Sequence, residues 1–336
     1  GMTYPLPTEL ITEFATNVDR LIVVEELDPF IEEQVRAMGF AAEGKSIFPP
    51  CDELLPATIA ECCREAGIAV ACEIPAPMPE SKEELPPRSP LLCAGCPHRS
   101  TFHSLARLKL PVAGDIGCYN LGPLPPFNAQ HTMGAMGASI GVLHGMGKSD
   151  LPEPAVCTIG DGTFFHSGLP ALANMVHNNG KGTVIIMDNH TTAMTGHQDH
   201  PGMNRTLSAG AAPAVNIGNV CRALGVERVF EVDAFNLEQV YTTLKDCAGH
   251  DGLSVVVTQG PCVFVSRSAK PAYHVDSDKC IACGKCIKGG CPANVLSDEI
   301  FEKTNKRKAS IDANVCIGCD ICRQICPTGA IVNPAE

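Results

Sequence analysis

Tryptophan is absent from this 336-residue chain, and aromatic residues make up only 5% of it. Stacking platforms are therefore scarce. Basic residues are in the minority, 25 against 37 acidic, for a net charge of −12. Wrapping a nucleic acid backbone takes clustered Lys and Arg, so that class of partner is excluded. No run approaches the ~20 apolar residues of a membrane span. The opening GMTYPLPTEL lacks the basic-then-apolar pattern of a secretory signal. With 45% apolar and 18% charged residues, the composition is that of a globular protein and excludes general disorder. What the chain has in excess is cysteine, 19 in all. A secreted disulfide scaffold would be small and carry a signal peptide. Here the cysteines are grouped at metal-ligand spacing. They point to a reducing, cytoplasmic and anaerobic setting.

The length leaves room for two or three domains of about 150 residues or fewer. Residues 1–72 read as a small α/β piece. LIVVEE (Leu21–Glu26) predicts a short buried strand. Pro29 opens a helix with Ile31, Val35 and Met38 at helical spacing, stopped by Gly39. Glu53 to Ala66 predicts a second helix, ended by Gly67. That is too little for an independent core, so the piece looks like the end of a larger domain. Residues 73–90 hold six Pro in eighteen positions and read as an extended linker. Residues 91–268 predict a doubly wound α/β domain. Its strands are Ala155–Ile159, Thr183–Met187 and Leu253–Thr258. A helical pattern (Leu169, Leu172, Ala173, Val176) ends at Asn178-Asn179-Gly180, so the flanking strands should be parallel. Residues 269–336 form a separate small domain. From Lys270 onward there are nine basic and eight acidic residues, so the negative charge lies in the first 268.

The last domain carries the strongest signal. Its first run is Cys280-x2-Cys283-x2-Cys286-x4-Cys291-Pro292, and its second is Cys316-x2-Cys319-x2-Cys322-x3-Cys326-Pro327. This resembles the bacterial two-cluster ferredoxin pattern, in which three close Cys wrap one cubane and the fourth crosses to the other. One 4Fe–4S cluster would take Cys280, Cys283, Cys286 and Cys326. The second would take Cys316, Cys319, Cys322 and Cys291. Gly289-Gly290 add one residue to the first run, which a glycine loop absorbs. A pair of zinc sites fits badly, because zinc favours separated pairs. About 65 residues are too few for stability from apolar burial alone, so clusters would also staple the fold. Lys303, Lys306, Arg307 and Lys308 read either as a solvated loop or as a docking patch for an acidic electron carrier.

Gly160-Asp161-Gly162 follows the strand AVCTI, and Asp188-Asn189 ends TVIIM, with 25 residues between Gly162 and Asp188. This looks like the thiamin diphosphate motif. Mg²⁺ wants octahedral oxygen ligands and shares phosphate oxygens. Asp161 offers a carboxylate and Asn189 an amide oxygen; the resemblance adds the Thr191 backbone carbonyl. Both loops fall at carboxyl ends of parallel strands, where such sheets bind ligands. A helix starting after Thr163 would favour the diphosphate charge.

Four more cysteines open and close this domain: Cys93 and Cys96 in CAGCPHR, Cys118 in GDIGC, and Cys262 in QGPC. The chain resembles the 2-oxoacid:ferredoxin oxidoreductases, several of which hold a cluster near thiamin with such a set. By that resemblance Cys93, Cys96, Cys118 and Cys262 are ligands of a third 4Fe–4S cluster; otherwise they are buried thiols. Cys51, Cys62, Cys63, Cys72, Cys157, Cys221 and Cys247 read as core residues.

CAGCPHR, GDIGCYNLG, GDGTFFHSGL, MDNHTTAMTGHQ and VVEELDPFIEEQV narrow the resemblance to the large subunit of the indolepyruvate type. It implies several things. Residues 1–72 would end a transketolase C-terminal-like domain. Asp115, Gly117, Cys118, His131, Met133, Gly160, Asp161, Gly162 and Thr163 would bind thiamin diphosphate. The reaction would convert an aryl pyruvate and CoA to an aryl-acetyl-CoA and CO2, reducing ferredoxin. A small (beta) subunit would complete the enzyme. A pyrimidine-binding domain, for which this length leaves no room, would come from an upstream segment or another chain, making this a fragment or the product of a split gene. Of the histidines His98, His131, His166, His190 and His197, His166 is favoured as catalytic, because it follows the diphosphate loop. The competing readings are a pyruvate or branched-chain 2-oxoacid enzyme, a non-catalytic electron-transfer subunit, and a redox-silent thiamin decarboxylase.

Overall fold

A computed structural model describes residues 4–71, 89–149, 154–208, 210–266 and 270–334. Most of the Pro-rich 73–90 segment, Cys72 and the 268/269 boundary lie outside the described residues. The chain divides into two compact units, 1–87 and 88–336.

In the first unit, helices run over Thr8–Thr16, Phe30–Ala37 and Pro56–Glu65. Strands β1 (Leu21–Ile22) and β2 (Ala42–Glu43) pair in parallel. LIVVEE is strand only at its first two residues, because its acids do other work. Both Glu25 carboxylate oxygens accept the Ile31 and Glu32 amides, at 2.8 and 3.0 Å. These are orphan donors at the start of the Phe30–Ala37 helix, where negative charge is favoured. The core is small, built around Val23, Val35 and Ala42. Cys51 is exposed and Cys62 and Cys63 are half-buried, so the core assignment of these three does not hold.

The second unit is built on a six-stranded sheet. Its strands are β3 (Val112–Gly114), β4 (Thr132–Met133), β5 (Val156–Gly160), β6 (Gly182–Asp188), β7 (Arg228–Asp233) and β8 (Leu253–Gln259). They lie in the order β4-β3-β5-β6-β8-β7, and every pairing is parallel. Parallel sheets are covered on both faces, and β6 shows why. Ile185 and Met187 face one core with Phe102, Leu105, Val240 and Leu244. Val184 and Ile186 face the other with Ile140, Leu143, Leu172 and Met175. Cys157 and Cys221 fill the second core and Cys247 the first, as small apolar residues. The chain winds outward in opposite directions from β3 and β5. Their carboxyl ends form a topological switch point, where open α/β sheets bind ligands.

The C-terminal lobe, within the same unit, pairs β9 (His274–Val275) with β12 (Ile331–Val332) and β10 (Asn294–Phe301) with β11 (Lys306–Ile311), both antiparallel. Short helices, Lys285–Lys288 and Ile321–Ile325, each carry the third cysteine of a triplet, Cys286 and Cys322. The lobe is packed against the sheet domain. The Leu237 amide donates to Gln324 Oε1 (2.9 Å), and Gln324 Nε2 donates to the Phe235 carbonyl (2.8 Å). Leu237, Ile321 and Ile325 bury together beside them.

Candidate cofactor and electron-transfer sites

The switch point assembles the residues that follow β3, β5 and β6. One cavity is lined by Ile116 to Tyr119, Gly160 to Thr163, Asn189 and Thr191 to Thr195, with His98 and Met136. Asp161 is 2% exposed, Asn189 5% and Thr191 2%. The Thr191 amide donates to Asp161 Oδ2 (3.2 Å) and to Asn189 Oδ1 (3.3 Å). Burial raises the Asp161 pKa, opposed by the hydrogen bond from His200. That imidazole stands 3.1 Å from Asp161 Oδ2. Its Nδ1 accepts the Gly202 amide, so the neutral ring carries its proton on Nε2 and donates to the carboxylate. Among the described residues Asp161 pairs with no Lys or Arg and the buried Thr191 hydroxyl has no partner, an oxygen-rich set suited to a divalent cation.

The glycines of the motif are required by close approach. A Cβ on Gly160 would lie 2.6 Å from Tyr119 Cε1, and one on Gly162 2.1 Å from Thr192 Oγ1. The helix begins at Asp161, earlier than expected after Thr163. It passes through a wider π-type turn over Phe164–Gly168 into Leu169–His177. Such turns recur at functional sites.

Some expected site residues stand elsewhere. Asp115 is fully buried behind the cavity. Its oxygens accept the amides of Ile116, Gly137 and Ser139, so it positions the loops around the cavity. His166 is exposed and does not line the cavity, so the structure does not bring it to the pocket where its place after the diphosphate loop would put it. His131 and Met133 are exposed at the sheet edge. The imidazoles that reach the site are His200 and His98. His98 is 3% exposed, and burial pushes its pKa down to about 4. Its neutral Nε2 accepts from Asn189 Nδ2 (3.3 Å), turning the amide oxygen toward Thr191 and Asp161. His98 is in the quoted CAGCPHR, but its contact is 91 residues away. His200, in GHQDH, had no spacing signal at all.

Cys118 lines the same cavity as Asp161. Burial pushes its thiol up to about 11, with further upward contributions from Cys262 and Cys93 as close neighbours. Burial likewise pushes Cys96 up to about 12, with Cys118 and Cys93 adding to it. Cys93, Cys96 and Cys262, from distant loops, each lie near enough to Cys118 to be felt electrostatically. In the C-terminal lobe, Cys280, Cys283, Cys286 and Cys326 line one space. Cys291, Cys316, Cys319 and Cys322 line another. Each set takes its fourth member from the other run. Among the described residues no three His, Cys, Asp or Glu side chains stand close enough to share one metal ion. Both sets ring a space instead of meeting at a point.

Comparison with known proteins agrees with this layout. Residues 115–258 match the thiamine pyrophosphate enzyme C-terminal TPP-binding domain, and 273–333 the 4Fe-4S dicluster domain. Indolepyruvate oxidoreductase subunit IorA of Pyrococcus horikoshii is 37% identical over the whole chain. The chain is similar to that subunit along its whole length. The Methanothermobacter thermautotrophicus IorA is 36% identical over 98% of the chain. The chain spans 56% and 54% of the lengths of these two relatives. A 2-oxoglutarate:ferredoxin oxidoreductase from Magnetococcus marinus aligns with a TM-score of 0.46 and 20% identity, over 62% of this chain and 80% of that one. No helix among the described residues is long and apolar enough to cross a membrane.

Proposed function

We propose that this chain is part of a cytoplasmic, thiamin diphosphate-dependent 2-oxoacid:ferredoxin oxidoreductase. It decarboxylates aryl pyruvates such as indolepyruvate, passes the acyl group to CoA, and delivers the two released electrons to ferredoxin. The observation that carries this reading is the cavity shared by Cys118 with Asp161, Asn189 and Thr191. It joins a carbon–carbon cleavage site to an electron exit. Thiamin diphosphate supplies an electron sink for loss of CO2, and 4Fe–4S clusters accept electrons singly.

Asp161, Asn189 and the Thr191 carbonyl would hold Mg²⁺, which would supply the positive charge that the buried carboxylate and a diphosphate need. Backbone amides from Gly160 to Thr163 would receive the phosphate oxygens where the helix begins. Ile116, Met136 and Met194 give the cavity its apolar wall. His98 and His200 orient Asn189 and Asp161. Cys93, Cys96, Cys118 and Cys262 would hold a proximal cluster, and the two C-terminal sets carry electrons onward. A partner small subunit and a pyrimidine-binding domain complete the active site.

The test compares indolepyruvate, phenylpyruvate and pyruvate as sources of ferredoxin reduction by the assembled complex with CoA. Faster turnover of the aryl substrates is expected. Equal or better turnover of pyruvate would move the assignment to another 2-oxoacid.

A further inference from the structure

Arg99 is the largest fully buried side chain among the described residues, 1% exposed. Among the described residues no carboxylate pairs with it. Its guanidinium donates only to backbone carbonyls: Leu92 and Cys93 at 2.8 Å, and Gly289 at 3.0 Å. Its Nε has no partner. It sits in the first turn of the His98–Leu108 helix, with no acid there to offset the helix's positive end. A buried cation without a counter-charge is strongly unfavourable, so an anionic group belongs beside it.

The position shows which. On one side the Cys93 carbonyl ties Arg99 to the Cys93–Cys96 loop. On the other, Arg99 lines the space ringed by Cys291, Cys316, Cys319 and Cys322. The hydrogen bond to Gly289 also fastens the C-terminal lobe to the sheet domain. The Cys280 set has no equivalent. Its nearby Arg307 is half-exposed and already pairs with Asp298 at 3.0 Å.

We propose that Arg99 is the shared counter-ion of the Cys93/Cys96/Cys118/Cys262 site and the Cys291/Cys316/Cys319/Cys322 site, holding the two in register and making the second easier to reduce. This positioning role rests on the reading of both sets as 4Fe–4S ligands. The cation stabilises the extra electron on a reduced cluster, so its charge favours reduction.

The experiment uses the chain in its native assembly, purified without air, as wild type, Arg99→Gln and Arg99→Lys. Iron is counted and the clusters are titrated by EPR, with Cys319→Ser identifying the signal of the affected cluster. In Arg99→Gln the reduction equilibrium of the Cys316 cluster should fall about tenfold, 59 mV for a one-electron couple. The Cys280 cluster should not move. Arg99→Lys should stay close to wild type. If Arg99→Gln loses the cluster outright, its retention at the wild-type potential in Arg99→Lys still upholds the role of charge. Wild-type potentials in both variants, or equal displacement or loss in both, would overturn the proposal. About eight iron atoms in the wild type, in place of about twelve, would remove the proximal site. The Arg99→Gln shift at the Cys316 cluster would still be read separately.

Discussion

Gly160→Ala tests whether the diphosphate loop is held by packing. The Gly160 backbone, at φ −82° and ψ 162°, suits any residue, so the effect is steric alone. The new methyl would lie 2.6 Å from Tyr119 Cε1, 2.9 Å from its hydroxyl and 3.1 Å from Cζ. Ordinary carbon contacts are about 3.5–4.0 Å, so the overlap is about 1 Å. The ring cannot swing away freely. It is 4% exposed and stands edge-on to His98 at 6.0 Å. Its hydroxyl donates to the Ile116 carbonyl (2.7 Å) and meets Thr163 Oγ1 (3.1 Å). Overpacking of this kind costs about 1–3 kcal/mol, and each lost hydrogen bond about 1 kcal/mol. Because Asp161 and Thr163 flank the strained point, about 2 kcal/mol should appear as a roughly 30-fold weaker affinity for Mg²⁺–thiamin diphosphate. Calorimetric titration of the assembled complex reads this directly. Adding Tyr119→Leu removes the obstructing ring, and the double variant should recover at least about 1 kcal/mol relative to additivity. Wild-type affinity in Gly160→Ala, or strict additivity with Tyr119→Leu, would refute the reasoning.

Three further outcomes follow from the same geometry. Asp161→Asn should abolish Mg²⁺-dependent cofactor binding while leaving the iron content intact, checked by calorimetry and iron assay on one preparation. His98→Ala should weaken cofactor affinity about 10–100-fold, the usual cost of losing a group that orients a metal ligand, with Asn189→Ala adding little on top of it. Cys291→Ala should remove the cluster of the Cys316 run, and Cys326→Ala that of the Cys280 run, each read as the loss of one EPR signal. Loss of the signal belonging to the mutated run itself would show that the fourth ligands do not cross.

The elements that position the site were legible because their patterns are local. The strands Val156–Gly160 and Gly182–Asp188 and the helix between them follow from short apolar runs and helical spacing. Asp161, Asn189 and the C-terminal cysteines could be singled out because their local motifs resemble known ones, and the structure brings Asp161 and Asn189 to one cavity and each cysteine set around one space. The failures share one cause. His166 was favoured for its place in the chain, but the π-type turn carries it to the surface. His200 reaches Asp161 across 39 residues and Arg99 reaches Gly289 across 190. Contacts of that span are made by packing and leave no periodicity in the sequence. LIVVEE looked like a longer strand because Glu25 gives no sign that it serves the next helix.

The central claim is that a thiamin diphosphate site feeds electrons into this chain's own clusters. The direct measurement is EPR of the anaerobic complex, loaded with Mg²⁺ and thiamin diphosphate, after adding indolepyruvate and CoA without ferredoxin. The account predicts reduced 4Fe–4S signals in the wild type and none in Asp161→Asn, although dithionite reduces the clusters of both. Clusters that dithionite reduces but substrate does not, or that substrate reduces equally in Asp161→Asn, would contradict it.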